Sequence, residues 1–130
     1  MHELSIAARV VEEAGRIAAA AGGRPTRVTL RIGALAGVHE PSLRAAYGML
    51  REGTPLADAE LAVEAVPLRV WCGACRTEHD VAGPVRLACP ACGRPTGEIR
   101  AGRELDIESI TLEDAPAAPP LPPHATRSPP

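Results

Sequence analysis

The chain has 130 residues, 45% of them hydrophobic, with one Trp, one Tyr and no Phe, so its core must be built from Leu, Ile, Val and Ala. A core of that kind in so short a chain gains from an added staple such as a metal. The net charge of −2 argues against nucleic-acid and anionic-membrane binders, which show a basic excess.

The N-terminus has no basic segment followed by an apolar run, and no stretch approaches the ~20 apolar residues that cross a bilayer, so a cytoplasmic protein is expected. Residues 3 to 21 place Leu4, Ala7, Val11, Ala14, Ala18 and Ala21 at steps of three and four, with Val10 and Ile17 widening the stripe. That pattern predicts an amphipathic helix, stopped by Gly22-Gly23. The run RVTLRIG alternates Val28, Leu30 and Ile32 against Arg27, Thr29 and Arg31, as a half-buried strand does. GALAGVHE reads as a loop. Pro41 then suits the first turn of a helix over 41–52, with Leu43, Ala46, Tyr47 and Leu50 on its inner face.

AELAVEAVPLRVW predicts a second strand, in which Pro67 marks an edge or the way out of the sheet. Residues 71 to about 97 hold the cysteines. ELDIESITL predicts a third strand, whose apolar phase shifts from Leu105 and Ile107 to Ile110 and Leu112, as a bulge produces. The last sixteen residues carry seven of the fourteen prolines and are expected to be disordered or polyproline-like. The predicted fold class is α+β: a small mixed sheet of about three strands with two helices, plus a four-cysteine zinc-ribbon module inserted before the last strand.

Within WCGACRTEHDVAGPVRLACPACG, Cys72 and Cys75 form one C-x-x-C and Cys89 and Cys92 another, thirteen residues apart. Two such knuckles at the ends of a ribbon make a tetrahedral S₄ site, which suits Zn²⁺ at ~2.3 Å per Zn–S bond. Four cysteines in a cytoplasmic chain point to metal or redox work, and neither pair has the βαβ setting of a redox C-x-x-C. With four protein ligands the ion has no open position, so its expected role is structural. His79 is expected on the ribbon surface, with a zinc-ligand or outer-sphere role as the alternative. Trp71 is expected to pack where the ribbon meets the α/β body.

The opening residues, Met1-His2-Glu3, offer a second donor set. The terminal amine has a pKa of ~8, low enough to yield its proton to a metal. Beside it lie the His2 amide and imidazole and the Glu3 amide. Nitrogen donors so arranged favour the planar geometry of Ni(II) and Cu(II). The bulky His2 is expected to protect Met1 from removal.

MHELS opening a helix, then RVTLRIGALAGV, then LRAAYGMLREGTPLADAELAVE, then the paired C-x-x-C motifs and a last strand, resembles in order the HypA/HybF family of hydrogenase nickel-insertion proteins. The likeness runs over residues 1 to about 114. It implies a nickel metallochaperone that is not an enzyme. It implies Ni²⁺ carried transiently by Met1, His2 and Glu3, and structural Zn²⁺ on Cys72, Cys75, Cys89 and Cys92. The implied organisation is an α/β nickel-binding domain over 1–69 and 103–114, a zinc-ribbon domain over 70–102 and a tail over 115–130. The implied partners are a HypB-type GTPase and the precursor of the [NiFe]-hydrogenase large subunit, with urease maturation proteins in some organisms, and neither nucleic acid nor membrane; a monomer or homodimer is compatible. The competing readings are a zinc-ribbon interaction or nucleic-acid-binding protein in which His2 is inert, and a thiol-disulfide enzyme.

Overall fold

A computed structural model describes residues 3–82 and 85–114. In chain order it has α1 (Glu3–Ala21), β1 (Gly23–Gly33), α2 (Glu40–Leu50), β2 (Glu60–Val66), β3 (Leu68–Cys72), β4 (Thr77–Val81), β5 (Ile99–Ala101) and β6 (Leu105–Asp114). Met1, His2 and the Pro-rich tail, 115–130, lie outside the described residues. Two three-stranded sheets form, one in the order β2-β1-β6 and one in the order β4-β3-β5. In the first, β2 runs parallel and β6 antiparallel to β1, which makes the sheet mixed.

Gly22 ends α1 in a left-handed conformation (φ 76°), its amide bonded back to Ala18 O at 2.9 Å. The chain turns there directly into β1, which therefore starts at Gly23, four residues earlier than the alternation at Arg27 predicts. Val28, Leu30 and Ile32 of β1 face Ile6, Ala7, Val10 and Ala14 of α1 and Leu43, Ala46 and Tyr47 of α2 in one buried cluster. Leu56 and Ala59, from the turns after α2, close it. Arg27 and Arg31 point the other way, pairing with Glu60 and Asp106 directly across the neighbouring strands. That face is solvated, and exposed pairs of this kind contribute little.

The inward stripe of α1 differs from the expected one. Leu4 and Ile17 are 55% and 43% exposed, and Ile6, expected nowhere in the stripe, is buried. The reason is the line Ala7, Ala14 and Ala18, fully or almost fully buried, which sets the inward direction of the helix. The bulge in β6 is present: the register steps from Thr29↔Ser109 to Leu30↔Ile107 over Glu108.

Pro67, exposed and between β2 and β3, is the point at which the chain leaves the first sheet for the second. It returns through Gly102 into β6. Both crossings are fastened to the loop after β1: Ala34 N donates to Val66 O at 2.9 Å, Leu35 N to Gly102 O at 2.7 Å, and Gly33 N to Glu104 O at 2.7 Å. The backbones approach so closely that a Cβ on Gly33 would lie 2.1 Å from the Gly102 carbonyl oxygen. Gly102 itself is left-handed (φ 121°). Leu68 fills this junction, fully buried, where Trp71 was expected. Trp71 instead stacks against the Arg100 guanidinium of β5, 5.0 Å from the ring centre.

Candidate metal centres

β3 delivers Cys72 at its last position, buried, and the chain then closes a tight turn. Arg76 N donates to Cys72 O at 2.7 Å, and Cys75 N points at Cys72 Sγ at 3.4 Å. Arg76 takes a left-handed conformation (φ 57°) to do so. The second knuckle repeats the device: Gly93 N donates to Cys89 O at 2.8 Å, with Gly93 at φ 79°. Thr96 ties this knuckle to β3, its hydroxyl donating to Trp71 O at 2.6 Å.

The four sulfurs come together within 4.8 Å of one another. Cys72 Sγ lies 3.6 Å from Cys92 Sγ, and Cys75 Sγ 3.9 Å from Cys89 Sγ, so each close pair joins the two knuckles. No disulfide is formed among them. A tetrahedron with ~2.3 Å metal–sulfur bonds has edges of roughly 3.8 Å, so the spacing and the all-sulfur donor set fit Zn²⁺. The thiols oppose one another in protonation. Hydrogen bonding to Cys72, Cys89 and Cys92 pushes the Cys75 thiol up to about 12. At Cys89 burial raises the pKa, but the amides of Cys92 and Ala91 and the neighbouring thiols outweigh it and bring it to about 6. Four thiolates this close need a cation among them.

His79 does not join this cluster. It sits on β4 opposite Val70, half-buried rather than exposed, and its Nε2 is buried with no hydrogen-bond partner among the described residues. Among those residues the four cysteines are the one group with metal-ligand geometry.

Of the three N-terminal candidates, Met1 and His2 lie outside the described residues and Glu3 opens α1. Glu3 Oε2 accepts a hydrogen bond from His39 N at 2.8 Å. That bond is the main cause holding the Glu3 carboxyl below its usual pKa. His39 is the N-cap of α2, its Nδ1 facing Ser42 N at 3.3 Å and Ser42 Oγ at 2.7 Å. The carboxylate thus lies at the start of α2, where the helix dipole favours negative charge. Sequence reasoning left His39 in a loop. The signal available was a polar residue just ahead of Glu40-Pro41, the N-cap position, though His is not among the usual caps.

A family model described as hydrogenase/urease nickel incorporation, metallochaperone, hypA matches residues 1–112. A hydrogenase maturation factor HypA of Chloroflexus aggregans is 50% identical over 111 residues, covering 85% of this chain and 97% of the relative. Its counterpart from Chloroflexus aurantiacus is 49% identical over 111 residues with the same coverage, 85% and 97%. The solution structure of the Ni metallochaperone HypA from Helicobacter pylori superposes with a TM-score of 0.60 at 18% identity, covering 86% of this chain and 97% of that one. At that identity the likeness concerns the fold.

Proposed function

The chain belongs to the HypA family of hydrogenase/urease nickel-incorporation metallochaperones, and from that premise we propose that it carries Ni(II) at its own N-terminus. The ligands are the Met1 amine, the His2 amide and imidazole, and the Glu3 amide. It passes the ion, together with a HypB-type GTPase, to the precursor of the [NiFe]-hydrogenase large subunit. Residues 1–69 with 103–114 carry this work, residues 70–102 form the zinc ribbon, and the chain works without catalysis of its own in the cytoplasm. No described helix is long and apolar enough to cross a membrane.

The observation that carries the reading is that the family match begins at residue 1 and extends past Cys92, so both donor sets fall inside it. The physical chemistry agrees. The first amides of a helix have no intrahelical acceptor, so the amide of Glu3, the first residue of α1, gives up no helix bond when it loses its proton to a metal and turns away from its own carboxylate. The Glu3 carboxylate is engaged with His39, which is consistent with the backbone nitrogen being its contribution. Zn²⁺ on Cys72, Cys75, Cys89 and Cys92 supplies a fixed fold for the ribbon, with every ligand position filled by protein. Nickel is different cargo: a nitrogen site at a chain end can be taken apart by a recipient. The Irving–Williams order puts Cu(II) above Ni(II) at such donors, so selectivity comes from supply and docking.

The test is nickel titration of the intact protein, of His2→Ala, and of a chain extended ahead of Met1 by several residues, none of them histidine. Both variants should lose the tight site while keeping about one zinc per chain. Retention of that site in either would refute the ligand assignment.

A further inference from the structure

A groove of about 560 Å³ runs between α1 and β6, lined by Ile6, Val10 and Ile17 of the helix and by Ile107, Ile110 and Leu112 of the strand. Ile17 and Leu105 along it are 43% and 36% exposed. β6 is also an edge, with β1 as its one sheet neighbour. Natural edges are commonly blunted by Pro, by Lys or by an inward charge. Residues 105–114 contain no Pro and no Lys. Their inward positions, opposite buried Ile32, Leu30, Val28 and Pro25, are Leu105, Ile107, Ile110 and Leu112. The bulge at Glu108 is the one irregularity, and the apolar pattern is intact on both sides of it.

We propose that this edge pairs with β6 of a second copy of the chain, antiparallel, across a two-fold axis at Glu108-Ser109. Two observations select that occupant. The first is symmetry. Counted across the bulge, the inward residues read Leu, Ile, Ile, Leu in either direction. The axis therefore sets Leu105 opposite Leu112 of the second copy and Ile107 opposite Ile110, and the two bulges meet with the same bend. Asp106 faces Thr111 and Glu108 faces Ser109, so no like charges stand directly opposed over 105–112.

The second is charge. The groove's charged side chains are Arg9, Glu13, Asp106 and Glu108. Glu13 is already paired with Arg16, and Asp106 with Arg31. Arg9 and Glu108 have no ion pair among the described residues. Each copy thus offers one free cation and one free anion, a set complementary to itself. The two Glu108 carboxylates come diagonal to one another at the axis, and the two Arg9 side chains on the groove balance them.

Size sets the strength. Thirteen residues line the groove, which at the usual area per interface residue is roughly 400 Å² per copy. That is the low end for a specific contact, so the dimer is reversible, with a dissociation constant of about 10–100 μM. The inference is independent of the nickel reading.

The test is sedimentation of the full-length, zinc-loaded protein across that concentration range, together with Leu105→Lys, Leu112→Glu and an equimolar mixture of the two. The native protein should pass from one chain to two as concentration rises. Each variant alone should remain a single chain, because an isolated charge then faces leucine at both ends of the pairing. The mixture should associate again, since Lys at 105 of one chain meets Glu at 112 of the other while the remaining end is Leu on Leu. That rescue also shows both variants folded. In the native protein, dilution should shift the Ile107 and Ile110 methyl signals and leave core Leu43 and ribbon Ile99 in place. A native protein that stays a single chain throughout, with Ile107 and Ile110 indifferent to dilution, would overturn the proposal. So would a dimer that ignores both substitutions, or a mixture no more associated than its components.

Discussion

Gly33→Ala tests the junction between the two sheets. The added Cβ would lie 2.1 Å from the Gly102 carbonyl oxygen and 2.7 Å from Arg103 N, both backbone atoms with no side chain to swing aside. Ordinary contact needs more than an ångström of separation beyond this, so the Gly33 loop and the Gly102 crossing must part. Two hydrogen bonds of 2.7 Å, Gly33 N to Glu104 O and Leu35 N to Gly102 O, break or stretch in the process. At about 1 kcal/mol net for each bond, plus the repacking of buried Leu68, the loss comes to about 2–4 kcal/mol. For a chain of this size that corresponds to a fall in Tm of roughly 10–20 °C. Thermal unfolding of zinc-loaded protein, followed by circular dichroism, measures it. Gly48→Ala is the control: it lies in α2 with nothing within 4 Å of the new Cβ, and should stabilise by about 0.5–1 kcal/mol through helix propensity. If Gly33→Ala moved Tm by less than a degree or two while Gly48→Ala behaved as expected, the close approach at the junction would be wrong.

Tyr47→Phe removes a buried hydrogen bond of 2.9 Å to Ala59 O, but Arg51 Nη1 still donates to that oxygen at 3.0 Å, so the loss should stay near or below about 1 kcal/mol in urea unfolding. Glu3→Ala should leave the planar nickel absorption intact, because the ligand there is backbone, yet speed hydrogen exchange at the His39 amide that the carboxylate holds. Loss of nickel binding in that variant would assign the carboxylate to the metal. Stripping zinc, or Cys89→Ala, should collapse the amide dispersion of β3, β4 and β5 while the far-ultraviolet signal of α1 and α2 persists, and re-addition of Zn²⁺ to the stripped native protein should restore the ribbon.

The four cysteines were legible in the sequence because each knuckle is a local object: three positions of spacing and a turn bring two sulfurs together, and the ribbon closes the rest. Pro67 and the β6 bulge were legible for the same reason, being consequences of a missing N–H and of a two-residue period. What could not be read was set at long range. The inward face of α1 follows from how closely three alanines let the helix approach its neighbours, which leaves the larger Leu4 and Ile17 outside. The Glu3 to His39 bond joins residues 36 apart, and the Gly33 to Gly102 approach joins residues further apart still. His79 looked like a surface residue from its polar surroundings, whereas strand pairing turns it to the side of buried Val70. Pairing registers and close backbone approaches belong to the assembled fold.

X-ray absorption at the nickel edge of the protein loaded with one Ni(II) and its zinc addresses the central claim most directly. The account predicts a four-coordinate planar spectrum fitted by nitrogen neighbours alone, with the zinc edge still reporting four sulfurs. Sulfur in the first shell of nickel would place the cargo among the cysteines and contradict it.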